Sequence, residues 1–256
     1  MAETPKRPKI SKRPEDPKVP PWASDPEGLL KSRPGSIKIA LTGGLATGKS
    51  TVAALFEVFG ASRLDFDRYA RQAVAPDSPG LSEVVKLFGP GCLLPGGEMN
   101  RTFVGKKVFK DPVLRKGLED IIHPETWKLM LQNLKSPNLK PVTVIEIPLL
   151  FEAGLETLFD HVLLSFAAPE TQLRRLLFRD PKLGKSLAKK MIAAQTPILE
   201  KLRRAKSVVN NDGPLARTIY QTKDLWDALI KNLDPPAQTS GLAPDPMRPN
   251  HKNGRD

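Results

Sequence analysis

The run Gly43-Gly44-Leu45-Ala46-Thr47-Gly48-Lys49-Ser50-Thr51 constrains this chain more than any other stretch. It holds glycine, four residues, then Gly-Lys-Ser, between two segments of different character. Ahead of it, Ile37 to Thr42 is a short β-branched run ending in glycines, which predicts a buried strand. Behind it, Val52, Leu55, Phe56 and Phe59 recur at spacings of three and four, and Gly60 closes an amphipathic helix. A tight glycine turn in that position aims successive N–H groups at phosphate oxygens, and the positive end of the helix adds to them. In this pattern Lys49 reaches the β and γ phosphates and Ser50 ligates Mg²⁺. ATP or GTP binding is the expectation. The plain alternative is an ordinary glycine-rich turn.

Strand and helix patterns alternate downstream. Ala61 to Leu64, Val142 to Ile147, His161 to Phe166 and Val208-Val209 read as further strands. Helical segments are expected over Arg68 to Val74, Pro79 to Leu87, Arg101 to Phe109 and Pro112 to Leu134, the last with a break near Pro124. Strands separated by helices imply crossovers and a mostly parallel sheet covered on both faces, an α/β fold. Half of the 26 prolines lie in residues 1–36 and 234–256, so both tails are expected to be disordered around a folded region of 37–233.

Several classes drop out. The single cysteine, Cys92, has no internal partner, and His123, His161 and His251 lack metal-ligand spacing. The longest apolar stretch, Val142 to Phe151, contains Glu146 and is half the length of a spanning helix, so no membrane partner is expected. The N-terminus has no apolar core behind its basic residues, and a reducing, cytoplasmic setting fits best.

Net charge is +12, and most of it has one address. Arg174 to Lys206 carries eleven Lys or Arg against Asp180 and Glu200. Such a segment is either a solvated helical face or a phosphate-binding surface. Aromatic residues are 6% of the chain, and Phe178 alone falls in the basic run, so stacking platforms for single strands are not evident and no nucleic-acid partner is expected.

Leu64-Asp65-Phe66-Asp67 ends the second strand, where alternation puts Asp65 and Asp67 on one side, beside the phosphate loop. A carboxylate there can accept a hydroxyl proton or hold Mg²⁺ through water. Equally, Asp67 can cap a helix and Asp65 can be a surface charge.

Taken in order, Leu-Thr-Gly-Gly at the loop, Asp-x-Asp-x-x-Ala-Arg, Phe88-Gly89, Arg101, His123-Pro124, Pro148-Leu149-Leu150-Phe151-Glu152, Gln172, Arg175, Arg179-Asp180, Gln195 and Asn211 resemble the dephospho-coenzyme A kinase family. The resemblance runs from about Ile37 to Leu229. It implies transfer of the ATP γ-phosphoryl to the ribose 3′-hydroxyl of dephospho-coenzyme A, the last step of coenzyme A synthesis. It also implies a P-loop kinase fold of three α/β/α layers around a five-stranded sheet, with acceptor-binding helices over about 68–135 and a mobile lid over about 180–200. Carried over by residue, Asp67 is the base with Asp65 beside it, and Arg101, His123, Leu149 and Glu152 face the acceptor, although the Leu149 to Phe151 trio also reads as packing. Glu146 joins Ser50 at the metal, and Arg175 and Arg179 neutralise charge during transfer. Gly43 to Thr51, with Arg179 and Asn211, hold ATP, Asn211 near the adenine.

The chain departs from the family pattern in places. Ala46 stands where the loop usually has glycine, which costs about 1 kcal/mol or more if φ is positive there. Thr47 replaces a common serine, Phe66 a small residue between the acids, Ile198 an arginine for which Arg203 or Arg204 can substitute, and Lys206 an acid. The lid is about one residue longer, with Pro181 and Gly184 inside it. Other readings are a different small-molecule P-loop kinase, a nucleic-acid-stimulated NTPase, or an adaptor without turnover, against which Lys49, Ser50 and Asp67 stand. Oligomeric state is not legible.

Overall fold

The structure, a computed structural model, describes residues 19–25, 28–30, 32 and 34–233. Strands β1 (Ile37–Gly43), β2 (Ser62–Asp65), β3 (Val142–Glu146), β4 (His161–Phe166) and β5 (Ser207–Asn210) form one sheet in the order β2-β3-β1-β4-β5. Every ladder is parallel, with Leu41 opposite Glu146, Asp65 opposite Glu146, and Gly43 opposite Ser165. Parallel neighbours need crossovers, which helices supply. These are α1 (Lys49–Val58), α2 (Phe66–Gln72), α3 (Pro79–Phe88), α4 (Arg101–Lys110), α5 (Pro112–Leu134), α6 (Pro169–Arg179), α7 (Lys185–Ala193), α8 (Ile198–Arg204) and α9 (Leu215–Lys231).

Alternation sorts the strand side chains onto two faces. Ile39, Leu41, Val142, Val144 and Leu163 pack with Val52, Ala53 and Phe56 of α1 and Leu229 of α9. Ala40, Ile145, Val162 and Leu164 pack with Trp127, Met130 and Leu134 of α5 and Leu202 of α8. The sheet is thus the middle of three layers. A separate cluster of Val74, Leu81, Val84, Cys92, Met99 and Val104 lies among α3, α4 and the first half of α5, so these helices have their own core.

Three expectations are corrected. Helix α5 runs unbroken through Pro124. Proline removes one N–H and crowds the carbonyl four residues back, but Ile121 and Ile122 are held in the outer core and Trp127 and Met130 in the main one, so both sides of the proline are fixed. Asp65 and Asp67 do not alternate along a strand, because β2 ends at Asp65 and Asp67 lies in the first turn of α2. The N-terminal segment is not detached throughout: Ala23 and Leu30 are fully buried in the main core. Composition missed this because two small apolar anchors among prolines suffice once Trp127 is there to meet them. The expected disorder of 1–18 and 234–256 lies outside the described residues.

Candidate active site

The sheet's C-terminal edge gathers Gly43, Glu146 and Asp65 from neighbouring strands, with the glycine-rich loop rising from the central one. Such an edge is where open α/β sheets bind ligands. The loop is braced from beneath through one atom. The backbone oxygen of buried Thr47 accepts from Asn211 Nδ2 at 2.8 Å, Ser165 Oγ at 3.1 Å and an Arg175 nitrogen at 3.4 Å. Arg175 also donates to Asn211 O at 2.7 Å, and Thr218 Oγ1 to Asn211 Oδ1 at 2.8 Å. Strand β4, α6 and the turn after β5 therefore converge on the loop.

Two backbone angles define the loop's shape. Gly48 has φ of 85°, and a Cβ there would run into Asn211 Nδ2. Ala46 has φ of 58°, a strained angle for alanine. Gly44 is needed for space instead, since a Cβ would lie 2.6 Å from Gln172 Oε1. Lys49 opens α1, and its Nζ donates to Gly44 O at 3.1 Å. Burial first, then the Lys201 ammonium, hold the Lys49 pKa below its ordinary value, against Asp67, Glu146 and Glu152. Ser50 and Thr51 are exposed in the first turn of α1.

The two acids after β2 have different fates. Asp65 caps α2, its Oδ1 accepting from Asp67 N at 2.9 Å and Arg68 N at 3.2 Å. The Asp67 carboxylate has no hydrogen bond or ion pair among the described residues. It keeps a face to solvent, while burial of the rest and then the Asp65 charge raise its pKa, opposed by Lys49 and Arg71. Glu146 is buried, its Oε1 2.7 Å from Arg63 Nε.

Glu152 is engaged within the protein. Its Oε1 lies 2.8 Å from Lys201 Nζ and accepts from Thr196 N at 2.9 Å. Lys201, fully buried, also donates to Gly43 O at 3.3 Å. Sequence reading left Lys201 in the basic run, although Ile198, Lys201, Leu202 and Ala205 form a helical stripe that would have shown it facing inward. Arg204 pairs with Glu156 and lies over the Phe151 ring at 4.6 Å, so it is occupied and does not stand in for the arginine missing at buried Ile198. Leu150 and Phe151 are buried, whereas Leu149 is 49% exposed.

The outer residues are less gathered. Arg179 ends α6 exposed to solvent, and Arg101 is exposed at the start of α4. His123 lies mid-α5 with its ring 4.8 Å from that of Trp22, and burial lowers its pKa against Glu119 and Asp120. A cavity of about 600 Å³ separates the loop at Gly44 from α7, lined by Gln172, Lys185, Lys189 and Gln195. A smaller hollow of about 290 Å³ lies among Gly48, Thr51, Arg175, Asn211 and Gly213.

A parallel sheet, a braced phosphate loop with its lysine, and a carboxylate within electrostatic reach of that lysine define a P-loop kinase. The family model for dephospho-CoA kinase matches residues 37–217. Curated dephospho-CoA kinases from Moorella thermoacetica and Geobacillus kaustophilus are 39% and 40% identical, over 76% and 77% of this chain and 93% and 100% of theirs. A solved Thermus thermophilus protein superposes with a TM-score of 0.68 at 34% identity, over 76% of this chain and 98% of that one. The dephospho-CoA kinase from Campylobacter jejuni shares the fold at a TM-score of 0.54 and 23% identity, over 77% of this chain and 98% of its own. The chain belongs to the dephospho-CoA kinase family. It is an ATP-using kinase of coenzyme A synthesis. No described helix is long and apolar enough to cross a membrane.

Proposed function

We propose that Asp67 is the base that prepares the ribose 3′-hydroxyl of dephospho-coenzyme A for attack on the γ-phosphorus of ATP held by Gly43 to Thr51. The observation that carries this reading is the division of labour between the two acids: Asp65 is spent on capping α2, and the Asp67 carboxylate is unengaged and within the field of Lys49. In the transfer, the hydroxyl oxygen bonds to the γ-phosphorus, the bond from that phosphorus to the departing ADP oxygen breaks, and the proton passes to Asp67. Lys49 offsets negative charge on the β and γ phosphates. The hollow at Asn211 and Gly213 takes the adenine, and the contacts of Arg175 support a role in shaping the loop at that hollow.

Mg²⁺ fits as an ion that arrives with ATP. Mg²⁺ is held by few protein ligands and by substrate phosphates in such sites, and the exposed Ser50 hydroxyl in the first turn of α1 fits that donor set. Ser50 would supply that hydroxyl, and Glu146, anchored by Arg63, would act through water. Bound there, the ion neutralises charge on the phosphates. Arg179 and the cavity under α7 support a lid that closes over ATP, with Arg179 moving in from its exposed position. On the acceptor side, His123, Arg101 and Leu149 offer a ring, a cation and an apolar contact.

The test is Asp67→Asn. ATP affinity should persist while turnover falls by about 10²–10⁴-fold, the usual weight of a general base. Near wild-type turnover would remove Asp67 from the role. Lys49→Ala should weaken both ATP binding and turnover.

A further inference from the structure

The family match begins at residue 37, yet the described residues ahead of it are built into the protein. Pro21–Ala23 forms a turn of 3-10 helix, Asp25 caps the backbone at Leu29 and Leu30 at 2.8 Å each, and Ser32 bonds to Asp160 just ahead of β4. Between these ties Trp127 Nε1 of α5 donates to Ser24 O at 2.8 Å, and Ala23 and Leu30 are wholly buried. Trp22 thereby meets two rings of α5: His123 at 4.8 Å, tilted, and Trp127 at 5.8 Å, edge-on. Trp127 in turn meets Phe66 at 6.2 Å, edge-on. Phe66 stands between Asp65 and Asp67.

A continuous row of rings thus runs from the N-terminal segment, across α5, to the residue beside the unengaged carboxylate. Rings in such contact restrict one another's tilt and are worth more than the area they bury. Trp22 and His123 are both only partly buried, so the ring pair they form is reachable from solvent. From this we infer that Trp22 is a positioning residue for the acceptor: it fixes the His123 ring and, through Trp127, steadies Phe66 against the acceptor's path to Asp67. The described stretch around Trp22 is therefore a wall of the acceptor site. This rests on the reading that the acceptor binds at His123.

Trp22→Ala, Trp22→Phe and His123→Asn, in the full chain, test it through KM for dephospho-coenzyme A and for ATP beside a thermal melt. Trp22→Ala should raise the KM for dephospho-coenzyme A roughly three- to tenfold, as loss of a ring contact does, with the KM for ATP held within about twofold. Trp22→Phe, which restores a ring, should recover most of that change. Where alanine unfolds the segment, Trp22→Leu keeps apolar volume without a ring face and should give the same split. An unchanged acceptor KM in the Trp22 variants, while His123→Asn raises it, would overturn the inference and leave the acceptor reading standing. Equal rises in both KM values would overturn it as well, by making Trp22 a stability residue. If His123→Asn left the acceptor KM unchanged, the acceptor reading itself would fall, and the inference with it.

Discussion

Thr47 contributes through its backbone oxygen, which gathers donors from Asn211, Ser165 and Arg175 and so holds the loop open for phosphate. Within that braced loop, Ala46 and Gly48 have opposite fitness for their angles. Alanine at φ of 58° stores left-handed strain. Ala46→Gly should raise stability by about 0.5–1 kcal/mol, the strain relieved less the extra chain entropy of glycine. Gly48→Ala should lower stability and ATP affinity, since its Cβ meets Asn211. Paired denaturation curves check both signs. The sequence already made the cost at Ala46 conditional on positive φ, because the loop pattern places a glycine there. It carried no hint that Asp65 rather than Asp67 would cap α2, since that turns on where β2 stops, a boundary of two residues.

Helix α8 ties the phosphate loop to the segment between α7 and α8. Lys201 projects from it to Gly43 O and to Glu152, and Glu152 holds Thr196 between α7 and α8. Lys201→Met would leave the Glu152 carboxylate, whose side chain is 21% exposed, without its cation. We expect a loss of about 3 kcal/mol in urea denaturation, the low end for a broken buried pair because Glu152 keeps some solvent. Adding Glu152→Gln should return part of that loss. A variant as stable as the parent would mean that water replaces the pair. Elements of this kind were largely legible: β4, α1 and the helices before β3 fall within a residue or two of their sequence signals, because period and capping residues agree there. The exception is α5. Pro124 signals a stop locally, and only the two cores gripping the helix on either side of it overrule that signal.

At the scale of the whole molecule, the parallel sheet and its three layers follow from alternating strands and helices joined by crossovers, which the sequence carries, whereas the strand order β2-β3-β1-β4-β5 does not follow from them. The N-terminal segment does not, since its docking depends on a tryptophan more than a hundred residues away. Folding also buries a titratable group that the reaction does not use. Among the described residues, His161 Nε2 on β4 is buried without a hydrogen-bond partner, and burial first, then the nearby Lys206 charge, lower its pKa from 6.5 to about 4, against Asp160. The unfolded chain therefore binds the proton more readily between those values. This contribution to stability is complete above pH 6.5 and is lost as pH falls toward 4. Melting temperatures of the wild type should drop over that window more steeply than those of His161→Leu, and parallel curves would exclude the effect. The family assignment is tested most directly by ADP release from Mg-ATP with dephospho-coenzyme A, adenosine, AMP or single-stranded RNA, with products identified by mass. ADP should form with dephospho-coenzyme A alone, and that acceptor should gain one phosphoryl group. ATP hydrolysis stimulated by RNA, with no acceptor phosphorylated, would contradict it.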